Sequence, residues 1–100
     1  MIKHIVLWTL SESADGKSAL ENALEMKVRL EALRGLVPGL QGLEVGIDVS
    51  RTDASADVAL YSEFSDRQAL DAYQVHPRHL AVAGFCNGVR VQRVIADYEV

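Results

Sequence analysis

The chain has 100 residues, of which 49% are apolar, and its 10 basic and 14 acidic side chains give a formal charge of −4 at pH 7. No apolar run is longer than the four residues Ile5-Val6-Leu7-Trp8, whereas a bilayer-spanning helix needs roughly 20, and the acidic balance argues against non-specific nucleic-acid binding, which needs a concentrated basic face. A single cysteine, Cys86, excludes an internal disulfide framework. Length and the absence of linker-like or low-complexity stretches predict one domain over residues 1–100. Met1-Ile2-Lys3-His4 opens no signal-peptide pattern, which points to a cytoplasmic protein.

Residues 2–10 read as a strand, with Ile2, His4, Val6, Trp8 and Leu10 on one face and Lys3, Ile5, Leu7 and Thr9 on the other. Ser11 to Gly16 is a polar break. From about Ser18 to Leu33 the period becomes helical, with Ala19, Ala23, Met26, Leu30 and Leu33 forming one apolar stripe. Gly35 and Pro38-Gly39 end that helix. Leu43, Val45, Ile47 and Val49 alternate with polar or small residues as a second strand, and Asp57 to Phe64 forms a third. Ser65-Asp66 caps a helix over 66–75, Pro77 starts a further helical segment over 77–86, Asn87-Gly88 breaks it, and Val89 to Val100 is the last strand. The order β-α-β-β-α-β, with the second helix broken at His76-Pro77, predicts an α+β, ferredoxin-like fold: a four-stranded antiparallel sheet with both helices on one face.

Two helices cover only one face of such a sheet, so the other is expected to be polar. Here it is not. Ile5 and Leu7 oppose Val6 and Trp8, and the last strand offers Val94, Ala96 and Tyr98 opposite Val89, Val91 and Ile95. A second copy of the chain would cover this apolar surplus, which predicts an isologous homodimer through the sheet face.

Histidine is scarce, and two of the three lie in His76-Pro77-Arg78-His79. With Pro77 at the first helical position, His76 is the cap and His79 sits in the first turn, where the positive end of the helix disfavours an imidazolium. A neutral His79 suits a general base; the same spacing also suits a histidine that merely packs. His4 shares the face of Val6 and Trp8 and reads as a pocket residue or a hydrogen-bonded core histidine. Tyr73, near the end of the preceding helix, either approaches the same pocket or packs. His76 and His79 lack further ligands at metal-binding spacing, so no metal is expected, and Cys86 reads as a small buried hydrophobe. The third strand, Asp57 to Phe64, is acidic and lacks the glycine and basic pattern of RNA-binding sheets.

With this topology, Ile2-Lys3-His4-Ile5-Val6-Leu7, Val37-Pro38-Gly39, Leu43-Glu44-Val45-Gly46, the run Glu63-Phe64-x-Asp66-x-x-Ala69-Leu70-x-x-Tyr73-x-x-His76-Pro77-x-His79 and Asp97-Tyr98 resemble the stress-responsive dimeric α/β-barrel (Dabb) family. The resemblance spans nearly the whole chain. It implies a ferredoxin-like protomer and a homodimer whose sheets pack into a barrel. Some plant members are polyketide cyclases that work by aldol condensation without metal or organic cofactor. Carried over by position, the resemblance makes His79 the base, Tyr73 the residue that orients it, and His4 a pocket residue beside Val6 and Trp8. A tyrosine that cyclase relatives place on the first helix falls at Leu30, and a histidine of the third strand at Val58.

Three functions are therefore expected to compete. One is a cofactor-independent, cyclase- or lyase-like enzyme for a polyketide-like or other small carbonyl compound, with His79, Tyr73 and His4 as the catalytic group and Val6, Trp8, Met26, Leu30 and Leu60 as the apolar lining. Another is a non-catalytic, stress-response module that binds a small hydrophobic ligand on that lining. The third is a cofactorless monooxygenase of a related dimeric barrel.

Overall fold

Period-2 alternation in the strands and a 3.6-residue stripe in the helices divide the chain into the elements of a computed structural model, which describes residues 1–100. The strands are β1 (Ile2–Leu10), β2 (Ser13–Ala14), β3 (Lys17–Ser18), β4 (Leu40–Ile47), β5 (Val58–Phe64) and β6 (Arg90–Glu99); the helices are α1 (Ala19–Glu31), α2 (Arg67–Gln74) and α3 (Pro77–Val89). The main sheet is antiparallel, in the order β4-β5-β1-β6. With α2 and α3 as one broken helix, this is the ferredoxin-like β-α-β-β-α-β arrangement. No helix is long and apolar enough to cross a membrane.

Residues 13–18 depart from a plain polar break. Ser13 pairs with Ser18 and Ala14 with Lys17 around a two-residue turn, Asp15-Gly16, in which both residues have positive φ (54° and 73°), as a tight hairpin turn requires. Ser18 then starts α1 through a reciprocal cap. Its hydroxyl accepts the Glu21 N–H at 3.2 Å and the Glu21 carboxylate accepts the Ser18 N–H at 3.0 Å.

The core lies between the sheet and the helices. It takes Ile2, Val6, Trp8 and Leu10 from β1, Leu43 and Val45 from β4, Val58, Leu60 and Phe64 from β5, and Ala23, Met26 and Leu30 from α1. Gly39, at φ +83°, lets the chain leave the turn after α1 close against α2: a Cβ there would lie 2.5 Å from the Ala69 Cβ. That close approach seats α2, and with it Tyr73, over the sheet. On the other side Arg29 of α1 stacks its guanidinium 4.1 Å from the Phe85 ring centre of α3.

α3 runs three residues past its expected end, through Asn87-Gly88 to Val89. The Cys86 carbonyl accepts the Arg90 N–H, and Asn87 Oδ1 accepts from Arg90 Nε at 2.9 Å, closing the helix at the strand rather than at the glycine. Val89 is thereby a buried helical residue and not part of β6.

The uncovered sheet face carries the expected apolar residues at its centre, with Lys3, Glu44 and Glu63 on the same face. Register places Ile5 beside Ala96 and Tyr61, Leu7 beside Val94 and Ala59, and Lys3 beside Tyr98, and Leu7, Val94 and Tyr98 are 40%, 50% and 45% exposed.

Candidate functional site

The bend between α2 and α3 builds the site. Asp66 caps α2 by accepting the Ala69 N–H at 2.8 Å. The helix stops at Val75, because a residue before proline is driven out of the helical region. His76, at φ −66° and ψ 134°, then caps α3, its Nδ1 accepting the Arg78 N–H at 3.1 Å, with Pro77 in the first turn. Tyr73 in the last turn of α2 and His79 in the first turn of α3 meet across this bend with ring centroids 4.2 Å apart.

Both rings open onto a cavity of about 240 Å³ between sheet and helices. Val6 and Trp8 of β1, Leu60 of β5 and Leu30 of α1 form its apolar wall; Ala83, Cys86 and Asn87 of α3 close the other side, and Arg90 and Arg93 of β6 form a basic rim. Of the residues expected at the site, the structure brings His79, Tyr73, Val6, Trp8, Leu30 and Leu60 to this cavity. It does not bring His4 or Met26 there.

Met26 is fully enclosed in the core, one turn before Leu30, and the stripe of α1 reaches the cavity only at Leu30. His4, 2% exposed, lies behind Tyr73 with ring centroids 6.2 Å apart, and equally close to Phe64. Its Nδ1 is bonded to the Asp97 carboxylate on β6. His4 therefore packs against Tyr73 and Phe64 and is not part of the lining.

The His79 ring is half-buried. Its Nδ1 lies 3.3 Å from the Gln74 carbonyl, 5 residues back. A carbonyl only accepts, so the proton sits on Nδ1 and the lone pair on Nε2, which has no partner in the protein. Burial holds this imidazole below its ordinary value; the Gln74 bond opposes that shift, and the charges of His4, Arg93 and His76 add to it. His79 is thus a neutral base at pH 7. Tyr73 does not orient it through a hydrogen bond; the Gln74 carbonyl does.

Tyr73 is completely buried, and its hydroxyl has no hydrogen-bond partner; the Trp8 indole N–H is likewise buried and unpartnered. Burial pushes the phenol far above its ordinary value, so it stays protonated as a donor. Unpaired buried donors are rare because each costs free energy, and two of them line one small cavity beside a neutral base. Burial also pushes the Cys86 thiol up to about 11, which leaves it an un-ionised lining group. No cluster of three or more His, Cys, Asp or Glu side chains able to hold a metal ion is present.

Residues 2–100 match the Stress responsive A/B Barrel Domain. The chain belongs to this family. A dimeric protein of unknown function with a ferredoxin-like fold from Bacteroides fragilis is 30% identical, aligned over 99% of this chain and 95% of its own, with a TM-score of 0.82. A Dabb-family protein from Mesorhizobium loti is 25% identical over 99% of this chain and 95% of its own, TM-score 0.71. A hydroxynitrile lyase from Passiflora edulis, 14% identical over 99% of this chain and 92% of its own with a TM-score of 0.79, shares the fold. No curated protein matches the sequence.

The basic rim escaped the sequence reading. Arg93 stands on the helix-facing side of β6 because it pairs with Trp8, a register that no local pattern reveals. Asp97 was also missed as the partner of His4, 93 positions away.

Proposed function

We propose that the protein is a homodimer whose protomers each hold a small, largely apolar carbonyl compound in the His79–Tyr73 cavity and move a proton at the carbon beside its carbonyl, without a metal or organic cofactor. The observation that carries this reading is the neutral, unpartnered Nε2 of His79 at the same cavity as the protonated, unpartnered hydroxyl of Tyr73. In the step proposed, Nε2 takes the α-proton, the C–H electron pair forms the new C=C bond, and the carbonyl π pair moves onto oxygen. The Tyr73 hydroxyl, with the Trp8 N–H, donates to the oxygen as its charge develops. An enolate formed this way is the nucleophile that closes a polyketide-like chain by aldol addition, which is the finer form of the proposal.

The dimer is supported by the apolar sheet face carrying Ile5, Leu7, Val94 and Tyr98, a surface of the kind that partners cover, and by the dimeric state of the 30% identical relative. Binding without turnover is a second reading, favoured by the apolar wall of Val6, Leu30 and Leu60 and by the single base at the cavity.

The test is hydrogen–deuterium exchange at the α-carbons of a small ketone, hexan-2-one, followed by NMR. Wild type is expected to accelerate exchange above the buffer rate and His79→Gln to abolish the acceleration. Equal rates in the two proteins would overturn the assignment of His79, and ketone binding with no acceleration in wild type would favour binding without turnover.

A further inference from the structure

The charge around the cavity is one-sided. No Asp or Glu lines it, while Arg93, Arg90 and two residues with buried, unpartnered donors, Trp8 and Tyr73, all do. In a chain of net charge −4, three arginines are matched, Arg29 with Glu25, Arg34 with Glu31, and Arg51 with Asp48 and Asp57; of the four without an acidic partner, Arg67 and Arg78 lie outside the cavity and Arg90 and Arg93 line it. Arg93 has no acidic partner and no hydrogen bond; of the carboxylates farther along its face of β6, Asp97 is taken by His4 and Glu99 stands at the far end, opposite Ile2. Arg90 bonds only a neutral group, the Asn87 amide oxygen, at 2.9 Å.

We propose that the cavity is built for a small carboxylate whose anionic end is received by Arg93 at the rim while its apolar body lies against Val6, Leu30 and Leu60. This rests on the proposed ligand site above and narrows its ligands to carboxylate-bearing compounds. A guanidinium presents paired N–H donors that match the two oxygens of a carboxylate. The buried Trp8 and Tyr73 donors, both unpartnered inside the protein, call for further acceptor oxygens on the same molecule. Size agrees with a single small body: a cavity of about 150 Å³ is enough for benzene, so about 240 Å³ takes one substituted ring or a short folded chain. The positive charge of Arg93 reaches the reacting groups as well, since it lowers the proton affinities of Tyr73, His79 and Cys86 together.

The experiment is calorimetric titration of the full chain with phenylacetate and hexanoate, each against its neutral amide, in wild type, Arg93→Gln and Arg93→Lys. Wild type is expected to bind at least one acid about tenfold or more tightly than its amide, the lower end of what one charge-assisted hydrogen bond supplies. The preference should be lost in Arg93→Gln, be partly kept in Arg93→Lys, and weaken as salt is raised. Equal affinities for acid and amide in wild type, a preference that survives in Arg93→Gln, or no binding of either form would overturn the proposal. Failure to exchange the α-protons of a neutral ketone is a separate observation and bears on proton transfer alone.

Discussion

The rings of Tyr73 and His79 pack with centroids 4.2 Å apart, yet no hydrogen bond joins them. The tyrosine hydroxyl is left without a partner and the histidine is oriented from behind by the Gln74 carbonyl. In the proposed reaction the two groups act on two atoms of one ligand, whereas a donor bonded to its base would be spent on it.

A buried hydroxyl without a partner lowers stability, so Tyr73→Phe is expected to stabilise the protein by about 1 kcal/mol in urea unfolding. The same change removes the donor to the developing oxyanion and should slow α-proton exchange by about 10²-fold. A variant that is less stable and equally active would contradict both halves.

His79 sets a pH dependence of definite sign. Its folded value is lowered from an ordinary 6.5. Between that lowered value and 6.5 the unfolded chain carries a proton that the folded chain lacks, so this group's contribution to stability falls as pH drops through 6.5 and is flat above it. Unfolding free energies at pH 7.5 and 5.0 should therefore differ less in His79→Gln than in wild type. An equal or larger difference in the variant would contradict the burial-driven shift.

The His4–Asp97 pair is expected to act through Tyr73 alone. Asp97→Ala leaves a buried imidazole without its partner and should cost about 1–3 kcal/mol, read by urea unfolding. Exchange activity should drop by roughly tenfold or less, against complete loss of the enzymatic acceleration in His79→Gln. Activity in Asp97→Ala as low as in His79→Gln would make His4 a participant in the chemistry.

Leu7 and Val94 lie side by side on the uncovered sheet face, and both are about half exposed in the protomer. Light scattering after size exclusion should give a dimer for wild type and a monomer for the double variant Leu7→Lys, Val94→Lys, because two like charges per copy would be buried against their symmetry mates. A wild-type monomer at micromolar concentration would contradict the dimer.

Features that depend on local chemistry were legible in the sequence. Alternation along β1 separates Val6 and Trp8 from Ile5 and Leu7, and His76-Pro77 declares a cap and a first turn that bring Tyr73 and His79 together. Features that depend on distant pairing were not. Arg93 reads as one charged residue in an alternating strand until β6 is registered against Trp8. Met26 and Leu30 share one stripe, and nothing local in that stripe separates the sealed core position from the cavity wall. The Asp15-Gly16 hairpin lay hidden because Ser13, Ala14, Lys17 and Ser18 carry no apolar alternation to flank the turn. At Asn87-Gly88 a local break signal lost to Arg90, whose backbone and side chain close the helix from the strand side.

Neutral His79 as the base at this cavity is tested most directly by the pH profile of hexan-2-one α-proton exchange, measured together with the NMR titration of the His79 imidazole. The exchange rate should hold constant from pH 8 downward and fall only below 6.5, with its inflection coinciding with the His79 titration and absent in His79→Gln. An inflection above 6.5, or one that persists in His79→Gln, would contradict it.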